Sequence, residues 1–228
     1  ANPPWLNYTI ATHDALFNMT TAFQQRHILA ILSVVGSKRL FLAIHLSDEL
    51  RAKLEAVQEA LAAHEKAVRL VTPANMHLTL HFLGDTSEEL LPALTEGMRT
   101  ALSPFEAFDT TVRRGGCFPS PRKPRVFWTG VDGESGPLGG VHAALGTELE
   151  KLEFELDSRP FSPHITIGYA RKRADRSELS RAASDLTEAA EKQLGTEGVR
   201  FPVKAVSLVE SVLGRGGPQY TDLERVAL

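Results

Sequence analysis

The tetrapeptide His-Leu-Thr-Leu at residues 77–80 returns as His-Ile-Thr-Ile at residues 164–167. Successive side chains of a β-strand point to opposite faces, so each histidine shares a face with the threonine two residues later. The aliphatic residues of each copy then point the other way, into an apolar layer. Two such strands set side by side would bring two imidazoles and two hydroxyls into one groove. The repeat therefore predicts two similar lobes, each presenting one copy of the motif.

The residues around the two motifs predict an α+β fold with mainly antiparallel sheets. Apolar segments bounded by turn residues predict strands at residues 39–46, 76–83 and 164–169. A long strand is expected at residues 201–213, and residues 219–226 return as its partner across a glycine-rich turn.

Capping residues and apolar spacing predict the helices. Ser47 is the expected N-cap of the first helix. Gly84 and Asp85 predict a turn, and Thr86 with Glu89 has the spacing of a capping box for the next helix. Apolar residues at helical spacing predict a further helix over residues 137–156.

The composition is that of an ordinary globular protein. The chain has 228 residues, of which 43% are hydrophobic and 23% charged, and its net charge of −3 makes any nucleic-acid contact a local one. The single cysteine, Cys117, excludes an internal disulfide, and no apolar run approaches the ~20 residues of a membrane span. A cytoplasmic protein without a membrane partner is expected. Residues 1–37 are predicted to be an extension of unknown role, and residues 38–228 a single domain with two lobes.

Paired imidazoles and hydroxyls suit the in-line cleavage of a phosphodiester. An imidazole has an unperturbed pKa of about 6.5, so two of them can serve as base and acid on opposite sides of one reacting centre. Two hydroxyls can donate hydrogen bonds to the phosphoryl oxygens, where charge accumulates. No metal and no cofactor is required in this scheme.

The repeat and several flanking segments resemble the 2H phosphoesterase superfamily, and within it the RNA 2′,3′-cyclic phosphodiesterases, historically called 2′-5′ RNA ligases. The resemblance covers residues 38–228. Besides the two motifs it includes the opening strand at 39–44, the segment at 124–128, and the closing segments at 210–213 and 217–220.

The resemblance implies a bilobed fold, with two pseudo-symmetric lobes and flanking helices around a central cleft. It implies hydrolysis of a terminal 2′,3′-cyclic phosphate to a 2′-phosphate without metal, and 2′-5′ joining of RNA ends as a side activity. His77 would be the general acid and His164 the general base. Thr79 and Thr166 would bind the non-bridging oxygens.

One position departs from the family pattern. Many relatives carry a phosphate-binding arginine five residues after the second histidine, where this chain has Tyr169. On an ideal strand Tyr169 and His164 point to opposite faces, so a turn or bulge would be needed to place Tyr169 on the same face as His164. Arg171, the nearest arginine, and Arg125, in the family-like segment, are the other predicted substrate-binding residues.

Two alternative functions stay open at this stage. One is a nucleotide-binding or RNA-end-binding module with little turnover, and the other is a hydrolase of small cyclic phosphodiesters. The expected partners are RNA with 2′,3′-cyclic phosphate ends or small cyclic nucleotides, and no obligate protein partner is indicated. Of the residues next to the first motif, His81 is expected in the cleft wall and Phe82 in the core.

Overall fold

The computed structural model describes residues 36–215 and 217–228. The predicted extension at residues 1–37 lies, except for its last two residues, outside the described residues, so the domain boundary at residue 38 stays a prediction. The described ranges contain the following strands and helices in chain order: β1 Ser37–His45, α1 Asp48–Ala62, β2 Val68–Leu70, β3 His77–Ser87, α2 Leu91–Leu102, β4 Phe108–Phe118, β5 Val126–Val131, α3 Pro137–Lys151, β6 His164–Ala170, α4 Arg176–Leu194, β7 Val199–Val203, β8 Ala205–Gly214 and β9 Gly217–Ala227.

The described strands form one curved sheet in the order β7-β4-β5-β6-β3-β1-β8-β9, with the short β2 pairing to the end of β6. Every strand pair is antiparallel. Each lobe contributes one motif strand near the middle of this order, β3 in the first and β6 in the second. The expected α+β fold with mainly antiparallel sheet is confirmed.

The helices cover one face of the sheet and leave the other face to the site. Helix α1 packs on α4, and α2 packs on α3. The aliphatic residues of both motifs belong to the core on this side, with exposed fractions of 5% or less for Leu78, Leu80, Ile165 and Ile167. On the opposite face a separate small cluster is formed by Phe41, Ala43, Val209 and Tyr220. The alternation expected from the motifs is therefore present in both strands.

The first helix begins as the sequence predicts. The Ser47 hydroxyl accepts a hydrogen bond from the backbone amide of Leu50 at 3.3 Å, and Asp48 and Glu49 occupy the first turn, where the helix dipole favours negative charge. Four apolar residues on one face of α1 are buried: Leu50, Leu54, Val57 and Leu61.

The predicted turn at Gly84 and the capping box at Thr86 are wrong. Strand β3 continues to Ser87, and Gly84 sits in a bulge, where its positive φ of 70° is a conformation that favours glycine. Thr86 is buried within the strand, and its hydroxyl donates to the carbonyl of Gly84. Ser87 instead caps the short 3₁₀ turn Glu88–Leu90 that precedes α2, accepting from the amide of Glu89, and α2 itself begins without a side-chain cap. Glycine marks a bulge here rather than the end of the strand.

Two other predicted elements are shorter than expected. Helix α3 ends at Lys151, although Leu152 and Leu156 still pack on the core from the irregular segment that follows. The predicted strand at residues 201–213 is interrupted at Lys204, so that β7 pairs with β4 and β8 pairs with β1. Apolar alternation runs through this interruption, so it does not reveal the change of partner strand.

No helix in the described ranges has the length and apolarity that crossing a bilayer requires.

Candidate active site

Both motifs open into one cleft of about 570 Å³ on the sheet face opposite the helices. Its lining includes the histidine and the threonine of each copy, His77, Thr79, His164 and Thr166. All four side chains are half-buried rather than sealed from solvent. The four polar side chains that the repeat singles out are thus accessible from a single space.

The pairing of β3 with β6 explains why the motifs meet. Leu78 lies opposite Ile165 in an antiparallel register. One step to either side along this register, the histidine of each motif faces the threonine of the other. Beyond this point β6 turns to pair with β2, through Leu70 and Gly168, while β3 stays paired with β1. The two motif strands therefore diverge, and the cleft lies where they part.

The two histidines are held by matching backbone hydrogen bonds. His77 Nδ1 lies 2.8 Å from the carbonyl oxygen of Asn75, and His164 Nδ1 lies 2.7 Å from the carbonyl oxygen of Ser162. A carbonyl oxygen can only accept, so Nδ1 carries the proton in both rings. In the neutral imidazole this leaves Nε2 as the nitrogen with a free lone pair. Each histidine is therefore fixed in the tautomer in which Nε2 can take a proton.

Aromatic rings support both imidazoles. His77 stacks on Phe41 with ring centres 4.8 Å apart and meets the edge of Tyr220 at 5.2 Å. His164 meets Phe118 edge-on at 5.0 Å, and the Trp128 ring centre lies 6.4 Å away. These contacts restrict both imidazole rings, so the positions of their Nε2 atoms depend little on side-chain mobility.

Burial keeps both histidines neutral near pH 7. Burial is the largest cause that lowers the pKa of His77, to about 4, and the nearby imidazoles of His45 and His164 lower it further. Burial also lowers the pKa of His164. The hydrogen bonds to Asn75 and Ser162 act in the opposite direction but do not compensate. Without a bound anion, both rings are therefore ready to act as bases.

A bulge in each motif strand turns the residue five positions after the histidine into the cleft. The pairing of β1 with β3 shifts by one residue at Leu80, and the pairing of β5 with β6 shifts at Ile167. An extra residue inverts the alternation beyond it, so Phe82 and Tyr169 line the cleft. The bulge that Tyr169 was predicted to need is present in β6.

Because of the bulge at Leu80 in β3, both predictions about the residues after the first motif are wrong. His81 lies on the helix side of the sheet, where its Nε2 is 2.9 Å from the carbonyl oxygen of His142 and its ring stacks on that histidine. Phe82 is 73% exposed and lines the cleft. Simple alternation assigns these two residues to the wrong faces, because it counts through the extra residue.

Positive charge in the cleft comes from two arginines that the sequence analysis did not single out. Arg39 at the start of β1 and Arg69 in β2 belong to the lining, which includes no aspartate or glutamate among the described residues. Arg69 is the cross-strand partner of Tyr169, and its guanidinium carbon lies 5.2 Å from the centre of the tyrosine ring. Arg39 lies two residues before Phe41 in β1, so strand alternation could have placed both side chains on the cleft face. No feature of the sequence indicates that β2 pairs with β6 and so brings Arg69 to the cleft.

The other two predicted substrate-binding residues lie elsewhere. Arg171 Nε donates to the carbonyl oxygen of Glu65, 2.8 Å away, and Arg171 is not part of the described lining of the cleft. Arg125 is an exposed residue just before β5 and is likewise outside that lining. Their positions do not support a role in binding substrate in this cleft.

A hydrogen-bonded network lies beside the first motif, at the end of β1. His45 is paired across the strands with His77, and its Nε2 lies 2.8 Å from a carboxylate oxygen of Asp222. The Ser207 hydroxyl donates to the same carboxylate at 3.0 Å. Within the described ranges, no three histidine, cysteine, aspartate or glutamate side chains come together as a metal-binding group.

A sheet that presents two strand-borne His-x-Thr pairs to one cleft is the arrangement expected of the 2H phosphoesterase class. Comparison with known proteins agrees with this class. The family model described as "2′-5′ RNA ligase superfamily" matches residues 46–215. The chain belongs to this superfamily, and the resemblance to the 2H phosphoesterases is confirmed.

Individual relatives match over nearly their whole length. The chain is 33% identical to the RNA 2′,3′-cyclic phosphodiesterase of Methanothermobacter thermautotrophicus, over 82% of this chain and 96% of the relative. A crystal structure of a Thermus thermophilus protein superimposes with a TM-score of 0.67 at 29% identity, covering 83% of this chain and 97% of that one. The structure of E. coli LigT complexed with 3′-AMP gives a TM-score of 0.60 at 26% identity, covering 84% and 98%.

Proposed function

We propose that the protein hydrolyses 2′,3′-cyclic phosphates at RNA ends to 2′-phosphates. The observation that carries this proposal is the convergence of both histidines and both threonines on one cleft, with the two imidazoles in the same tautomer. The relatives named RNA 2′,3′-cyclic phosphodiesterase support the choice of substrate. Structures of E. coli LigT with 3′-AMP and with phosphate support a nucleotide and its phosphate as ligands of such a cleft.

In the proposed reaction His164 acts as the general base. Its neutral Nε2 takes a proton from water as the water oxygen bonds to phosphorus. The bond between phosphorus and the 3′ oxygen breaks, and Nε2 of His77 gives that oxygen a proton. The product is a 2′-phosphate with a free 3′-hydroxyl. His164 is left protonated and His77 neutral.

The substrate itself is proposed to prepare His77 for its role as acid. With a pKa of about 4 the ring is neutral in the free protein. A phosphodiester anion in the cleft favours the imidazolium and raises this pKa. Arg39 and Arg69 attract the anion, and the hydroxyls of Thr79 and Thr166 donate to its non-bridging oxygens.

The proposed 2′-5′ ligase activity uses the same groups. A 5′-hydroxyl of a second RNA would take the place of water, give its proton to His164 and attack phosphorus, while His77 protonates the departing 3′ oxygen. Residues of both lobes line the cleft, and its volume of about 570 Å³ leaves room for a nucleophile larger than water.

The test is a direct assay on an RNA oligonucleotide ending in a 2′,3′-cyclic phosphate. We expect a 2′-phosphate product, with turnover that is unaffected by a chelator because no step is assigned to a metal. His77→Ala and His164→Ala should each lower kcat by at least ~10²-fold. His142→Ala is the matched control, since His142 stacks on His81 and Phe161 on the other side of the sheet. Full activity in both motif variants would contradict the proposal.

A further inference from the structure

A second cavity, which we call the β5 pocket, lies beside the cleft in the second lobe. It is lined by Arg114, Trp128, residues 130–136 and residues 162–163. Its volume is about 420 Å³, within the range of about 300–1,000 Å³ that small-molecule sites occupy. No step of the proposed hydrolysis uses this space.

The β5 pocket adjoins the proposed general base. Gly130 of the pocket lining is the cross-strand partner of His164, and Trp128 is the partner of Thr166, so both lie on the same face of the sheet as the second motif. The ring centres of Trp128 and His164 are 6.4 Å apart. Ser162, whose carbonyl oxygen holds His164 Nδ1, also belongs to the pocket lining. His164 therefore stands between the cleft and the pocket.

The geometry of the reaction makes this the side from which a nucleophile arrives. In-line displacement puts the attacking and leaving oxygens on opposite sides of phosphorus. The leaving 3′ oxygen lies at His77 in the proposed reaction, so the nucleophile enters at His164. Of the described residues that line the cleft, only His164, Thr166 and Tyr169 come from β6, and none comes from β4 or β5. A nucleotide bound in the cleft thus leaves the side of the β5 pocket free.

We propose that the β5 pocket binds the 5′-terminal nucleoside of the second RNA in 2′-5′ ligation. This inference rests on the proposed function. The 5′-hydroxyl gives its proton to His164 Nε2 as its oxygen bonds to phosphorus. The bond between phosphorus and the 3′ oxygen breaks, and His77 gives that oxygen a proton. The rest of the nucleoside stays in the pocket throughout.

The pocket has an apolar wall that suits a nucleoside. The indole ring of Trp128 lies close against β4 and β5, because a side chain at Gly116 would collide with the ring and one at Gly130 would touch it at 3.4 Å. Trp128 is nevertheless only half-buried, and Pro163 stands in the same lining. A flat ring held from behind and open on its other side fits the flat face of a nucleoside.

Arg114 supplies positive charge for the phosphate that follows this nucleoside. Its φ of 60° lies in the left-handed region, which is uncommon for a residue with a side chain and recurs at functional sites. The carboxylate of Asp132 is already paired with Arg113. Helix α3 presents its N-terminal end to the pocket at Gly136, without a side-chain cap. Glu134 also belongs to the lining, which suits a strand end that carries a hydroxyl better than one that carries a phosphate.

The test measures ligation and hydrolysis in one reaction. An RNA ending in a 2′,3′-cyclic phosphate is incubated with rising concentrations of a 5′-hydroxyl oligonucleotide, and the 2′-5′-linked and 2′-phosphorylated products are separated. The ligated share should rise with the concentration of the oligonucleotide and then saturate, as expected for a binding site. A ligated share that stays at zero while hydrolysis proceeds, or that never saturates, would overturn the inference.

Variants in the pocket should separate the two reactions. Ser135→Trp fills the pocket without touching either motif, so it should abolish ligation and leave hydrolysis unchanged. Ser184→Trp, at an exposed position of α4 outside both linings, is the matched control and should change neither reaction. An unchanged ligated share in Ser135→Trp, or an equal loss of both reactions, would overturn the inference.

The role of Arg114 is tested by its charge. Arg114→Asn removes the charge and keeps a residue that accepts a positive φ. Loss of a charged hydrogen bond to phosphate should lower kcat/KM for the 5′-hydroxyl strand by about 10- to 100-fold. Arg114→Lys keeps the charge and should keep most of the ligation. Equal ligation in the asparagine variant and the unmodified protein would overturn the assignment of Arg114.

Binding measurements distinguish failure of this inference from failure of the proposed function. Protein saturated with a mononucleotide 2′-phosphate is titrated with the 5′-hydroxyl oligonucleotide, and the Kd is measured by fluorescence anisotropy. Binding that Ser135→Trp abolishes, with no hydrolysis of any cyclic phosphate, would support the pocket and contradict the catalytic proposal. Hydrolysis together with a Kd that Ser135→Trp leaves unchanged would do the reverse.

Discussion

Leu78 and Ile165 face each other across β3 and β6, and in the described part of the chain they are the one position at which these two strands pair. Both side chains point into the core, with no measurable exposure. Their neighbours on each side are the histidines and threonines that line the cleft on the opposite face. A single buried contact thus aligns the two motifs, and the divergence of the strands beyond it opens the space between them.

The pH dependence of turnover follows from the lowered pKa values. The reaction needs His164 neutral and His77 protonated, and in the free protein the pKa of His77 is about 4, while that of His164 is also below its usual value. The profile of kcat/KM, which reports the free enzyme, should therefore peak on the acid side of pH 6.5. Bound substrate raises the pKa of His77, so the optimum of kcat should lie at higher pH.

Steady-state kinetics between pH 4 and pH 9 on a cyclic-phosphate dinucleotide measures both profiles. An optimum of kcat/KM above pH 7.5, or identical optima for kcat and kcat/KM, would contradict this assignment of acid and base.

The motif threonines are expected to act through their hydroxyls alone. Thr79→Val and Thr166→Val keep the shape of the side chain but remove the donor to a phosphoryl oxygen. Loss of one such donor should lower kcat by about 100-fold. Thr79→Ser and Thr166→Ser retain a hydroxyl and should keep most of the activity. The measurement is kcat with the thermal midpoint of each variant as a control for folding. If valine and serine variants behave alike, the hydroxyls have no part in the reaction.

Arg39 and Arg69 are expected to control the salt dependence of RNA binding. Each cation that contacts a phosphate of a single strand contributes about 0.7 to the slope of log K against log salt concentration. Arg39→Gln and Arg69→Gln should each weaken binding of a 2′-phosphorylated oligonucleotide and reduce this slope by about that amount. Arg171→Gln is the control, because Arg171 lies outside the lining of the cleft and is bonded to Glu65. A slope that responds to Arg171 and not to Arg69 would contradict the structure.

His142 is expected to make the protein less stable in acid. Burial, followed by the charge of His81, lowers the pKa of His142 to about 4, so the unfolded chain binds protons more readily than the folded one. The free energy of unfolding should therefore fall as the pH drops from about 6.5 towards 4. In His142→Phe this group cannot titrate, and the loss of stability between pH 7 and pH 4.5 should shrink by about 1–2 kcal/mol.

Urea unfolding of both proteins at the two pH values measures this difference. His64 contributes in the opposite direction, because its bonds to Glu178 and Asp185 raise its pKa despite burial. Stability from His64 is present below pH 6.5 and is lost as the pH rises through its folded pKa, so it does not mimic the effect. An unchanged loss in His142→Phe would contradict the linkage.

Strand alternation was sufficient to predict the centre of the site but not its margins. It places His77 with Thr79 and His164 with Thr166, because no bulge separates the two members of either pair. It fails for His81, since the extra residue at Leu80 inverts the faces of everything that follows. A bulge adds one unpaired residue to one strand, and the tetrapeptides of the two motifs contain no glycine that would mark one.

The sequence pattern also could not predict that the chain changes its partner strand at Lys204. Residues 199–203 pair with β4 and residues 205–214 belong to a strand that pairs with β1, towards opposite ends of the described sheet, yet Phe201, Val203 and Ala205 continue one alternating apolar row across the change. A local pattern reports which face is buried and not which strand lies beside it. Arg69 reaches the site through such a non-local pairing, of β2 with β6, and so escaped the sequence analysis.

The last hairpin of the chain forms one wall of the cleft. Tyr220 supports His77, the carbonyl of Pro218 accepts from the Asn75 amide at 2.9 Å, and Leu213 stands at the rim. Both motifs precede this hairpin in the sequence. A chain cut before residue 217 would therefore carry every proposed catalytic group yet lack the ring that supports the first imidazole, so the order of the catalytic centre depends on a segment that contributes no catalytic group.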